Sequence, residues 1–125
     1  MPSKPFPTTL LATLYKSKII GLRAGEAPHR FIGVWPVLVK DRLFVRPWNN
    51  KPSGWYAAFL KEPYGVLQVG EREVLIKTRK ARGENLMDAI DAAYAEKYPT
   101  PGSRNYVKGF AQARRRAATL ELLPK

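Results

Sequence analysis

Arg46, Lys51 and Ser53 bring a guanidinium, an ammonium and a hydroxyl into one short stretch, a donor set that suits a phosphate monoester better than a neutral ligand. Ser53 stands where a helix can begin. Its hydroxyl can accept from a free helix amide, and Trp55, Tyr56, Phe59 and Leu60 follow at helical spacing until Pro63 stops them. Free amides at a helix start, with the positive end of the helix dipole, favour an anion. Trp48, Trp55 and Tyr56 flank the same turn. Their faces can stack on a flat heteroaromatic ring, although aromatics at helical spacing are more often core, and Trp35, in an apolar run, reads as core.

Other chemistries find less to work with. His29 is the single histidine, in a loop beside Arg30, and proton transfer would require it to reach a cleft. No His, Asp and Glu grouping has metal-ligand spacing, no cysteine exists to act as nucleophile or thiolate ligand, and neither a GxGxxG nor a P-loop occurs. The sharpest basic cluster is Arg114-Arg115-Arg116, and Arg79, Lys80 and Arg82 form a second. Either can clamp a polyanion such as nucleic acid, pair with the acidic residues Glu84, Asp88, Asp91 and Glu96, or simply be solvated.

A chain of 125 residues with 45% hydrophobic content is sized for one domain with a real core. A formal charge of +12 and a pI near 10.2 favour an anionic partner: a phosphorylated cofactor, nucleic acid or an acidic membrane surface. A solvated basic surface is the plainer reading. No apolar run is long enough to span a bilayer, and Leu10 to Tyr15 is cut short by Lys16 and Lys18 before it could form a secretory core. The expected location is cytoplasmic.

The elements that must position these groups follow from periodicity. Residues 1–7, rich in proline, read as a mobile lead-in, and residues 8–125 as the domain. Thr8 or Thr9 can cap a short helix through Lys16, which precedes a strand at Ile19 to Arg23. Arg30 to Lys40 reads as one strand, apolar on both faces, in which Pro36 demands an edge or a bulge. Lys40-Asp41-Arg42 turns the chain into a strand at Leu43 to Trp48. After the helix at Trp55, strands at Val66 to Val69 and Glu73 to Lys80 flank Gly70-Glu71, a pair suited to a type II′ turn. Asn85 and Asp88 suggest a capping box for a helix ending near Tyr98. Ser103 can cap a short helix through Phe110 or Ala111, and a last strand lies near Thr119 to Leu123.

The run Leu43-Phe44-Val45-Arg46, a polar turn, then Gly54-Trp55-Tyr56, Phe59-Leu60, Glu62-Pro63 and Val66-Leu67-Gln68-Val69-Gly70 resembles the core motif of deazaflavin-dependent nitroreductase and quinone-reductase domains of the flavin-binding split-barrel superfamily. With His29-Arg30-Phe31, Ala89-Ile90-Asp91, Lys97-Tyr98, Tyr106-Val107 and Thr119-Leu120-Glu121-Leu122, the wider pattern is more similar to a small bacterial domain family of unassigned function with that fold, from about Leu14 to Pro124. The resemblance implies a mainly β (α+β) domain: a six-stranded antiparallel split β-barrel with peripheral helices, paired as a homodimer. It also implies FMN or a deazaflavin held by its phosphate at Arg46, Lys51 and Ser53 and by its ring near Trp48, Trp55 and Tyr56, serving as an oxidoreductase that passes hydride to a small organic acceptor. Two departures bear on cofactor identity. Asn49-Asn50-Lys51-Pro52 stands where the reductases have a glycine-rich turn, and Ala58-Phe59 where they have Asn-Leu. The competing reading is a non-catalytic basic module that binds nucleic acid or another polyanion through Arg79, Lys80, Arg82, Arg114, Arg115 and Arg116. A third is a split barrel that has lost its cofactor and serves as a partner-binding scaffold.

Overall fold

A computed structural model describes residues 5–25, 30–49 and 54–125. Helix α1 (Thr8–Lys16) leads into strands β1 (Ile20–Ala24), β2 (Ile32–Val34), β3 (Val37–Val39) and β4 (Arg42–Val45). Helix α2 (Trp55–Lys61) follows, then strands β5 (Tyr64–Val69) and β6 (Arg72–Lys80), helices α3 (Glu84–Lys97), α4 (Arg104–Phe110) and α5 (Ala113–Arg116), and strand β7 (Leu120–Pro124). Among the described residues seven strands make one antiparallel sheet in the order β2-β1-β5-β6-β7-β4-β3.

Six strands in a closed ladder was the expectation, and the seventh comes from Pro36. Lacking an N–H, it cannot continue a ladder, so Arg30 to Lys40 is two strands rather than one, and they lie at opposite ends of the sheet. Only Trp35 and Pro36 separate β2 from β3, and three residue steps reach at most about 11 Å. The two ends of the sheet must therefore curl toward each other. No ladder joins them, and the sheet is a curled, open half-barrel.

Alternation along β4 shows how the core is divided. Leu43 and Val45 point into a cluster with Leu10, Leu14, Leu22, Phe59, Leu67 and Ile76, beneath α1 and α2. Phe44 points the other way, into Val37, Met87, Ile90, Tyr94 and Phe110 beneath α3 and α4. A strand covered on both faces explains why this stretch is apolar without a break. The first cluster also takes in Phe6, which is 4% exposed, so the core begins inside the stretch read as lead-in.

The turns obey backbone chemistry. Gly70 takes φ +60° between β5 and β6, as a II′ turn requires. Lys40 and Asp41 both take left-handed φ, 51° and 64°, to close the two-residue β3–β4 hairpin, at a steric cost that glycine would avoid. Gly65 is required by space: a Cβ there would lie 2.3 Å from the Arg23 carbonyl oxygen on the neighbouring strand. The capping box at Asn85 is not formed. Helix α3 starts two residues earlier than that cap implies, at Glu84 after Gly83 at φ +111°, with no side-chain cap. No helix among the described residues is long and apolar enough to cross a membrane.

Candidate functional site

Arg46 leaves the end of β4 and turns inward. Its side chain is fully buried. Nε donates to Thr119 Oγ1 (2.8 Å), Nη1 to Asp91 Oδ1 (2.5 Å) and to the Phe110 carbonyl (2.9 Å), and Nη2 faces the carbonyl and sulfur of Met87 (3.5 and 3.7 Å). Thr119 passes its own proton to the Arg116 carbonyl, so it is an acceptor toward Arg46. All three guanidinium nitrogens are thus spent on tying β4 to α3, α4 and the start of β7. The guanidinium for which the sequence suggests a phosphate is thus engaged within the chain. Lys51 and Ser53, its expected companions, lie outside the described residues, as does His29. Helix α2 begins after Gly54, which offers no side-chain cap.

Beside Arg46 opens a cleft of about 390 Å³. Its walls are Trp35 from the β2–β3 link, Trp48 after β4, Trp55 at the start of α2, and Tyr106 and Phe110 from α4, with Gly33, Val34 and Arg46 completing them. The aromatic wall is fixed by its own contacts. Trp48 meets Phe110 edge to face at 5.4 Å and Tyr106 at 5.2 Å, and Tyr106 reaches Trp35 at 5.5 Å. Trp35 in turn stacks on Tyr98 at 4.5 Å.

Two buried hydroxyls lock that corner. Tyr94 donates to the Trp35 carbonyl (2.8 Å) and Tyr98 to the Pro36 carbonyl (2.9 Å). Burial raises both phenol pKa values, with the Arg46 charge opposing the rise at Tyr94 and the neighbouring Tyr94 adding to it at Tyr98. Both phenols stay neutral donors at ordinary pH. Gly109 lets the Trp48 ring lie flush on α4, since a Cβ there would come within 2.4 Å of it. Trp48 and Tyr106 nonetheless remain 41% and 48% exposed. Large rigid aromatic surface left open on a concave wall is what a flat ligand needs.

Of the residues singled out for ring binding, Trp48 and Trp55 reach this cleft. Tyr56 does not: at 5% exposure it belongs to the core beneath α2. Trp35, Tyr106 and Phe110 were not foreseen. The break at Pro36 and the aromatic pair on a short helix after Pro99-Thr100-Pro101-Gly102 were the available signals.

The basic clusters divide. Arg116 pairs with Asp91, with Asp88 (3.1 Å) and with Glu84 (3.2 Å), all on α3, so the acidic helix meets the arginine run within the chain. Arg79 and Arg42 each approach Glu121 at 2.9 Å. Burial pushes the Glu121 carboxyl up, and hydrogen bonds from Arg42 and Arg79 outweigh it, holding the group below its ordinary value. Lys80, Arg82 and Arg114 are exposed. Arg115 is buried against Trp48. Lys97, half-buried, donates to the Leu14 and Pro36 carbonyls, and burial with the nearby Lys18 charge lowers its pKa to about 8. Among the described residues no acidic, histidine or cysteine cluster could hold a metal ion.

Comparison with known proteins agrees with this architecture. A structure named as a "Putative Pyridoxamine 5'-phosphate oxidase" from Listeria innocua superposes with a TM-score of 0.60 at 11% identity, covering 94% of this chain and 91% of that one. An F420-H2 dependent reductase, FDR-A, superposes with a TM-score of 0.55 at 14% identity, covering 84% and 90%. At such identities the likeness is one of fold. No curated protein matches the sequence. Residues 11–122 match the model of a family described as "Uncharacterized protein conserved in bacteria (DUF2255)".

Proposed function

The chain belongs to the bacterial family DUF2255, and we propose that it binds a phosphorylated flavin or deazaflavin, with the ring seated between the aromatic walls of the cleft. The observation that carries this reading is the open wall of Trp35, Trp48, Trp55, Tyr106 and Phe110. Its support from outside is that the same fold serves one protein named for a phosphorylated pyridoxamine and another named for F420-H2. When bound, such a cofactor supplies hydride transfer, so the protein need only bind and orient.

The residues present fit that division of labour. Trp48 and Tyr106 offer faces for stacking, and Trp35, held by Tyr94 and Tyr98, gives a wall that costs little to order on binding. The apolar lining excludes water from a bound ring. A small organic acceptor would approach from the open side, beside the exposed Tyr106.

Native mass spectrometry of protein purified from its own host tests the reading, together with the expected homodimer. The expected result is a flavin or deazaflavin mass adduct, with FMN or the deazaflavin raising the melting temperature of stripped protein. Steeply salt-dependent binding of DNA or RNA, without any flavin effect on melting, would instead favour the polyanion-binding module.

A further inference from the structure

Arg115 is 7% exposed, and no carboxylate among the described residues pairs with it. The other arginines drawn below the surface all have one. Arg23 has Glu73, Arg46 has Asp91, and Arg116 has Glu84, Asp88 and Asp91. A buried guanidinium cannot shed its charge, and burial without a counter-charge is costly.

The protein holds this one in place but does not neutralise it. Nε donates to the Trp48 carbonyl (2.7 Å), and Nη1 donates to the Gly109 carbonyl (3.1 Å) and Gln112 Oε1 (3.2 Å). The guanidinium lies 3.8 Å from the Trp48 ring centre. These partners fix the plane of the fork. Among the described residues none takes the two N–H groups of Nη2.

Arg115 also lines a second cavity of about 290 Å³, together with Pro47, Trp48, Asn49, Arg114 and Ala118. Among the described residues its lining contains two arginines and no acid. Burial, and after it the adjacent Arg114 charge, lower the Arg115 pKa. Trp48 is a wall of this cavity and of the aromatic cleft alike. A ligand seated in the cleft has only to round the indole to reach the arginines.

We infer that Arg115, through Nη2, and Arg114 bind the terminal phosphate monoester of the ligand whose ring occupies the aromatic cleft. A phosphate monoester carries about −1.5 to −2 charge at neutral pH, which matches two guanidinium groups. A preorganised fork costs little entropy to engage. The inference rests on the proposed ring site for the ligand's identity, while the anion site stands on Arg115 alone.

The test compares FMN with riboflavin, which differ by the phosphate, and inorganic phosphate with chloride. Wild-type protein is expected to bind FMN about ten- to a hundredfold more tightly than riboflavin, the range for hydrogen bonds to a charged group. In Arg115→Met the ratio should collapse toward one, and in the exposed variant Arg114→Ser it should fall part of the way. The ratio cancels any change that the substitutions make to ring binding. Equal wild-type affinity for FMN and riboflavin would overturn the phosphate assignment and leave the ring site standing. So would a preference unchanged in both variants. If neither of these flavins nor a deazaflavin binds, the ring reading fails. Inorganic phosphate then decides the anion site: a melting temperature raised in wild type but not in Arg114→Ser supports it, and an equal or absent shift in both overturns it.

Discussion

Arg46 and Arg115 are both buried, both reach aromatic surroundings, and stand on opposite terms with the protein. Arg46 meets Asp91, Thr119 and two backbone carbonyls, and its charge is balanced within the fold. Arg115 is gripped just as firmly, yet by neutral groups, and among the described residues two of its donors go unclaimed. The first is a rivet between strand β4 and the helical cap. The second has its geometry complete and its charge unmet, which is the condition of a binding group. Lys97, like Arg115, is drawn inside with no carboxylate partner among the described residues, and it shows the alternative open to an amine: its pKa falls to about 8. An arginine has no such escape.

Substitution can break this contrast directly. Arg46→Met should cost about 3–5 kcal/mol in urea denaturation, since it breaks a buried ion pair, leaving Asp91 with Arg116 alone, and takes the donor from the Phe110 carbonyl. Arg115→Met should cost no more than about 1.5 kcal/mol, because the lost hydrogen bonds are offset by removal of an unbalanced charge. Equal losses would make Arg115 a rivet too.

Gly109→Ala is the next largest effect. The new methyl group must displace the Trp48 ring, at a cost of about 1–3 kcal/mol. Because Trp48 is wall to both cavities, flavin affinity should fall with it.

The smallest effects are in pH dependence. Glu121 titrates below its ordinary 4.5 in the folded chain. Its contribution is full above that value and is lost as pH falls through the lowered pKa. Glu121→Gln should therefore flatten the acid limb of the stability curve. Lys97 has the opposite sense. Between about 8, its folded pKa, and its unfolded value of 10.5, the unfolded chain holds the extra proton, so wild-type stability rises with pH on that account. Lys97→Met should remove this rise. Melting curves from pH 8 to 9.5 read it before unfolded tyrosines begin to ionise and favour unfolding in their turn.

How much of this was legible in the sequence depended on the range of each interaction. The β-strand at Leu43, the glycine turn at Gly70 and the helix at Trp55 are local, set by residue type and period, and they form as the pattern implies. The consequence of Pro36 was half legible: an edge was expected there, but not that one proline would end two edge strands at opposite ends of the sheet. The fate of Arg46 was not legible, because Asp91 lies 45 residues away and only the docking of α3 brings it near. The same holds for the cleft, whose walls come from four separate parts of the chain. Arg115 and Arg116 are adjacent in sequence and take opposite roles because one turns of a helix face to Trp48 and the next to α3.

All three tryptophans of the chain line the cleft, so their fluorescence reports on it directly. Titration of the stripped protein with FMN, riboflavin and a deazaflavin should give saturable quenching, weakened in Tyr106→Ala. Tryptophan emission that shows no saturable change with any of the three would contradict a ring-binding cleft.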